Sequence, residues 1–349
     1  MPASDITDCL VIDAMGSAAL LPTAQLPPPP RNGKPWLDRA LDSGLTALNV
    51  TMGVTGVGMG TDDFRSLLHS MHGYFCYFDL EPRLIHVRTT ADIERAKREG
   101  RLGVIFGCQG LDTKLDGDAS LLLIMAKLGH RIAQLTYNDS GPIGCGALEP
   151  NDTGLTQFGR ICVREIEECG MIVDLAHAGQ TTALQAIEFA TKPPIVSHAN
   201  VRALNDHPRN LRDDVLRALA AKGGVAGITA YAPFCETTRG VRPSIDDLVK
   251  HIAYVAELVG VDHVGIGSDF FEAESPIRFE RYFRRRYPAI VGHYTIDTVY
   301  AEGFERVDDF AVLPAALRKG GFGDEDVRKI LGGNFMRVFE QCWPAAPEQ

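Results

Sequence analysis

Two histidines, His177 and His198, each close a short apolar run, and each is followed by a loop and a helical pattern. Imidazole is the commonest side-chain metal ligand and the usual acid or base near neutral pH, so two in equivalent positions of consecutive units form a candidate site. Asp269 ends a third apolar run, in VGIGSDF, and can act as ligand or general base. Gln109, in FGCQG, is a weak oxygen donor, and Tyr137, in LTYN, is a neutral donor suited to a developing oxyanion. Arg209, in HPRN, carries a planar guanidinium that matches a substrate carboxylate and stays charged. Tyr231 follows the run at 225–230 and stands where a substrate would lie. His69, His72, His86, His130, His251, His263 and His293 fall in loops, helices or strand starts and read as structural, as does His207 in its turn. Cys108 beside Gln109 reads as a small core residue.

These residues need elements to hold them. Apolar, β-branched runs bounded by turn signals recur at 10–14, 47–52, 103–106, 133–137, 171–175, 194–197, 225–230 and 264–268. Helical patterns fall between most of them, at 91–99, 119–128, 159–168, 181–190, 213–221 and 244–258. Eight buried strands alternating with amphipathic helices predict an α/β fold, a (β/α)8 TIM barrel, with a doubly wound sheet as the structural alternative. In such a barrel the chemistry sits at the C-terminal strand ends, which is where Gln109, Tyr137, His177, His198, Tyr231 and Asp269 fall. The prediction is one domain over 1–349, with a long connection at about 270–300 rich in aromatic and charged residues. A four-proline run at 27–30 reads as a stiff surface connection. Gly53, Gly56, Gly58 and Gly60 lack phosphate-loop spacing and read as a loop at the barrel mouth.

Bulk properties exclude several classes. The 349 residues are 45% hydrophobic and 23% charged, ordinary globular composition, with a net charge of −10. The one dense basic run, Arg284, Arg285 and Arg286, lacks interleaved aromatics, so no nucleic-acid partner is expected. The N-terminus lacks the basic region and apolar core of a signal peptide, and no run reaches the ~18 apolar residues of a membrane helix. Eight cysteines without a C-x-x-C argue against a ribbon or disulfide scaffold. The expectation is a cytoplasmic protein with reduced thiols and no membrane partner.

At MIVDLAH ending in His177, IVSHANVRALNDHPRNL from Ile195, VGIGSDF around Asp269 and LGGNFMRVF near the C-terminus, the sequence resembles the membrane (renal) dipeptidase family of zinc metallopeptidases, in the amidohydrolase superfamily. The resemblance implies a homodimeric barrel that cleaves dipeptides with a free carboxylate. It implies that His177 and His198 hold zinc, that Asp269 shuttles protons, and that Arg209 binds substrate.

The chain departs from the family at three places. A metal-binding His-x-Asp pair is replaced by Met15 and Ser17 in IDAMGS, a bridging glutamate by Gln109, and a histidine by Tyr137. Removing carboxylates leaves two close dications uncompensated. Unit charges ~4 Å apart repel by on the order of 4 kcal/mol at an effective dielectric near 20, and dications by roughly four times that. The expectation is therefore one Zn²⁺ rather than two, on His177 and His198 with Gln109, Asp269 or water completing the shell, a metal-free site being the alternative. The reading is a dipeptidase-like hydrolase cleaving an amide bond in a small carboxylate-bearing substrate. The rivals are a lyase or isomerase on the same barrel and a metal-free binding protein.

Overall fold

The computed structural model describes residues 9–16, 33–53, 63–272 and 276–345, apart from the side chain of Tyr282. Ser17, the proline run and Gly56, Gly58 and Gly60 lie outside the described residues. Nine parallel strands are present among the described residues: β1 Ile12–Gly16, β2 Ala47–Thr51, β3 Leu84–Val87, β4 Leu102–Cys108, β5 His130–Gln134, β6 Ile172–Asp174, β7 Ile195–Ala199, β8 Val225–Ile228 and β9 Val264–Ile266. Eight of them pair in the order β1-β2-β4-β5-β6-β7-β8-β9. The two ends of this row meet, because Gly16 bridges Phe270 and Asp269 N donates to Met15 O at 2.7 Å. The eight expected runs therefore form a nearly closed barrel.

The ninth strand, β3, is an addition to the expected set. Leu84 to Val87 pairs with the first half of β4, from Leu102 to Ile105, while β5 takes the second half from Phe106. Its short LIHV run follows Glu81 and Pro82 too closely to stand out from the turn before it. The helix Phe64–Leu80 was also not expected. It buries Leu67, Met71 and Tyr74 along one stripe and starts at Asp63, whose carboxylate accepts from Ser66 N. No helix among the described residues is long and apolar enough to cross a membrane.

Packing explains why the strands read as unbroken apolar runs. Inside the N-terminal end of the barrel, Ile12, Ala47, Ile105, Ile132, Ile172, Ile195 and Val225 form one cluster with Phe335, Met336 and Phe339. Those last three come from the helix Asn334–Cys342, which closes the barrel floor. Gly265 in β9 is required there, since a Cβ would lie 2.4 Å from Phe335 Cε2. Asn334 anchors the helix by donating through Nδ2 to Val261 O and Val264 O at 2.7 and 2.8 Å. With the floor filled, polar groups gather at the opposite end.

The connection after β9 is helical. It contains Pro276–Arg278, Phe279–Phe283, Arg284–Arg286 and Pro288–Val291, with Phe279, Tyr287, Ile290 and Val291 buried. It bridges three loops of the mouth. Tyr287 Oη and Arg286 donate to Asp139 Oδ2, Ala289 O lies 3.0 Å from His207 Nε2, and Tyr294 Oη donates to Glu236 Oε1 at 2.6 Å. Arg284, the first residue of the basic run, pairs with Glu280 and caps Gly292 O and Tyr294 O. Arg284 is thus a brace within this connection, while Arg286 ties it to the loop at Asp139.

Candidate active site

His177 follows β6 and His198 lies in β7, so the barrel register brings them together at the mouth. Their Nε2 atoms are 2.9 Å apart. His177 Nδ1 donates to Asn138 Oδ1 at 2.7 Å, which leaves its Nε2 with a lone pair. His198 Nδ1 meets Ser197 Oγ at 2.8 Å, and the Gln109 amide donates to His198 Nε2 at 3.5 Å. The 2.9 Å contact is a hydrogen bond when His198 Nε2 carries the proton; with that proton on Nδ1, facing Ser197 Oγ, both Nε2 atoms would offer lone pairs to one point. Burial, with the charge of Arg209 second, holds both rings well below the usual histidine range, so they stay neutral and available as ligands.

The backbone is shaped for this display. Among the described residues, Asp116, His177 and Asp269 are the non-glycine residues with positive φ, and the two site residues lie at +64° and +59°. Left-handed backbone costs a side-chain-bearing residue on the order of 1–3 kcal/mol, and it clusters where function holds it in place. Close approach from the next strands is also needed. A Cβ on Gly267 would sit 1.8 Å from Ser197 O, so only glycine lets β9 reach the residue before His198.

Tyr137 stacks on His177, with ring centroids 4.2 Å apart and planes 18° apart. Arg209 is 2% exposed; its Nη2 donates to His198 O at 3.4 Å, its guanidinium lies 5.3 Å over the Phe234 ring, and its Nε has no partner. A buried cation with an unspent donor is a receptor for an anion. Burial lowers its pKa to about 10 against the opposing charge of Asp269, and it remains a cation at neutral pH. Burial pushes the Asp269 carboxyl up to about 7, with Arg209 acting in the other direction. Tyr231 is 1% exposed, and its hydroxyl also lacks a partner. Tyr300, which the sequence did not single out, donates to Asp269 O at 2.7 Å and accepts from Phe271 N at 2.9 Å.

Gln109 and Met15, two of the residues expected to depart from the dinuclear pattern, occupy one side of this cluster. Gln109 Nε2 contacts Met15 Sδ at 3.5 Å, and Thr51 Oγ1 contacts the same sulfur at 3.6 Å. Among the described residues, no three histidine, cysteine, aspartate or glutamate side chains are grouped to hold a metal. Thioether and amide bring no charge to offset a second dication, whereas the facing Nε2 atoms of the two neutral rings, His177 and His198, are donors that one divalent ion would satisfy.

Sequence reasoning missed Asn138 as a partner of His177, Ser197 as a partner of His198, and Asp13. Asp13 is buried in β1 and accepts from Ser268 N, Ser268 Oγ and Met15 N. Its signal was present: Asp13 is the one charged residue of an otherwise apolar first strand.

The family model for membrane dipeptidase (peptidase family M19) matches residues 38–280. Dipeptidase tcpJ of Claviceps purpurea is 28% identical over 302 residues, covering 83% of this chain and 65% of that protein. Dipeptidase verJ of Clonostachys rogersoniana is 28% identical over 260 residues, covering 74% of this chain and 60% of that protein. The chain thus spans less than two thirds of the length of these curated relatives. A crystal structure of an amidohydrolase from Pseudomonas aeruginosa superposes with a TM-score of 0.85 at 30% identity, covering 98% of this chain and 99% of that one. On the strength of the model match, which takes in the β6 and β7 histidines and Asp269, this chain belongs to the membrane dipeptidase family, M19.

Proposed function

We propose that the protein is a dipeptidase-like hydrolase that cleaves an amide bond in a small substrate with a free carboxylate, using one divalent ion. The observation that carries this reading is Arg209, a buried cation with an unspent donor beside His198. His177 and His198 would hold the ion, with the Gln109 amide oxygen as a further donor after rotation of its amide. When bound, Zn²⁺ would activate water and polarise the scissile carbonyl.

The chain's own residues do the rest. Arg209 receives the substrate carboxylate and sets the register of the amide bond. Asp269, with its carboxyl tuned to about 7, accepts a proton from water and returns it to the leaving amine. Tyr137, held flat against His177, donates toward the developing oxyanion. Tyr231 offers its free hydroxyl to substrate. The connection after β9 is tied to the mouth loops at Asp139, His207 and Glu236, which favours a small substrate. We read the chain as a single barrel domain and, from the family resemblance, a homodimer.

The test is a dipeptide panel with zinc-loaded and chelator-stripped protein, read by amino-acid release. Release that requires zinc at about one ion per chain supports the reading. No release from any dipeptide, or full activity after stripping, overturns it.

A further inference from the structure

Asp174 ends β6 and is completely buried, three residues before His177 and in register with Ile195 of β7. One of its oxygens, Oδ1, accepts from two backbone amides. Ala176 N donates at 3.0 Å and Ser197 N at 2.9 Å. Each of these residues immediately precedes one of the paired histidines. A single atom therefore ties the backbone before His177 to the backbone before His198.

The strand ladder does not do this by itself. Asp174 with Ile195 is the one register pair between β6 and β7, and beyond it Leu175 N donates to Ile195 O at 2.8 Å before the chain turns away. Past that point His177 takes its left-handed conformation and cannot join a ladder.

We propose that Asp174 is a positioning residue whose Oδ1 sets the spacing of the His177 and His198 rings. The role needs an acceptor at that point and does not need a charge. This inference rests on the one-ion reading for its metal consequence, and on geometry alone for the ring spacing.

The experiment uses the full chain with ¹⁵N-labelled histidine, wild type against Asp174→Asn, Asp174→Ala and Asp174→Leu. Asparagine keeps an oxygen where Oδ1 stands, alanine removes it, and leucine fills the volume without an acceptor. In zinc-free protein, D174N is expected to keep the wild-type imidazole ¹⁵N shifts of His177 and His198, and the alanine and leucine variants to move both. Affinity for Zn²⁺ alone, by competition with a chromophoric chelator, should fall about tenfold or more in those two and stay within a few-fold in D174N. Wild-type shifts in D174A or D174L, or matching losses in D174N, would overturn the proposal. So would unfolding of both acceptor-free variants, which would assign Asp174 to holding the fold. If wild type itself binds no zinc, the one-ion reading fails, while the ¹⁵N comparison still decides the role of Asp174.

Discussion

Ser268 donates twice to Asp13, from its backbone N at 2.8 Å and its Oγ at 2.5 Å, across 255 residues of chain. This pair joins the first and last strands of the barrel next to Asp269. Removing the hydroxyl with Ser268→Ala should cost about 1–2 kcal/mol, and Asp13→Ala about 3 kcal/mol or more because three buried donors, Ser268 N, Ser268 Oγ and Met15 N, lose their acceptor. A double-mutant cycle by urea denaturation should give a coupling of about 1 kcal/mol, and strictly additive losses would refute the linkage.

Asp13 and Asp269 also predict how stability depends on pH. Burial pushes both carboxyls up to about 7 in the folded chain, against 3.8 for the ordinary group. Between those values the folded state holds protons that the unfolded state has released, so stability is greatest below about pH 4 for these groups and falls as pH rises to 7. Each group contributes up to ~1.4 kcal/mol per pH unit. Asp13→Asn keeps an acceptor for Ser268 N and should flatten part of this slope. An unchanged slope in that variant, from denaturation at a series of pH values, would count against it.

Activity should rise through the same region, because Asp269 must be ionised to take a proton. The kcat/KM profile is expected to climb as Asp269 ionises, with a midpoint at or below about 7 because a bound cation favours the carboxylate, and Asp269→Asn to lower kcat by a factor of 10² to 10⁴. A flat profile between pH 5 and 8 would remove Asp269 from the proton path.

Arg209→Lys is not expected to rescue Arg209→Ala, since the ammonium lacks the planar fork and the stacking on Phe234. Both should lower kcat/KM by about 100-fold, mainly through KM, for a dipeptide with a free carboxylate. For the same dipeptide amidated at its C-terminus, wild type and variants should converge. Equal losses on both substrates would mean that Arg209 supports structure.

Restoring charge should restore metal. In the Met15→His, Gln109→Glu double variant, elemental analysis is expected to find more than one zinc per chain, against about one in the wild type. A stoichiometry unchanged by the double substitution would show that factors other than these two side chains limit the site.

The barrel was legible because its strands are buried on both faces and so appear as apolar runs, and β3 escaped because four residues after a turn carry little pattern. His177, His198, Gln109 and Tyr137 could be placed together because strand ends in a closed barrel converge. Arg209 could be assigned to the mouth, but its stacking on Phe234 and its unspent Nε depend on how a loop folds back, which periodicity does not encode. Asp13 and Asp174 were visible as charges in apolar strands, but the role of each depends on a distant partner, Ser268 across 255 residues and Ser197 N on the next strand, which periodicity does not encode.

The helix that plugs the barrel floor sets an order of events in synthesis. Phe335, Met336 and Phe339 fill space enclosed by strands that begin at Ile12, so the first strand emerges from the ribosome long before its lid is made. Joining Asp13 to Ser268 closes a loop whose entropic cost is about 5 kcal/mol, so early closure brings little return. Until then β1 and β2 are a sheet edge with an apolar inner surface, the kind of edge that pairs with other chains. Nascent chains arrested before the floor helix should therefore aggregate or hold a chaperone, and release should follow once that last helix is free to dock.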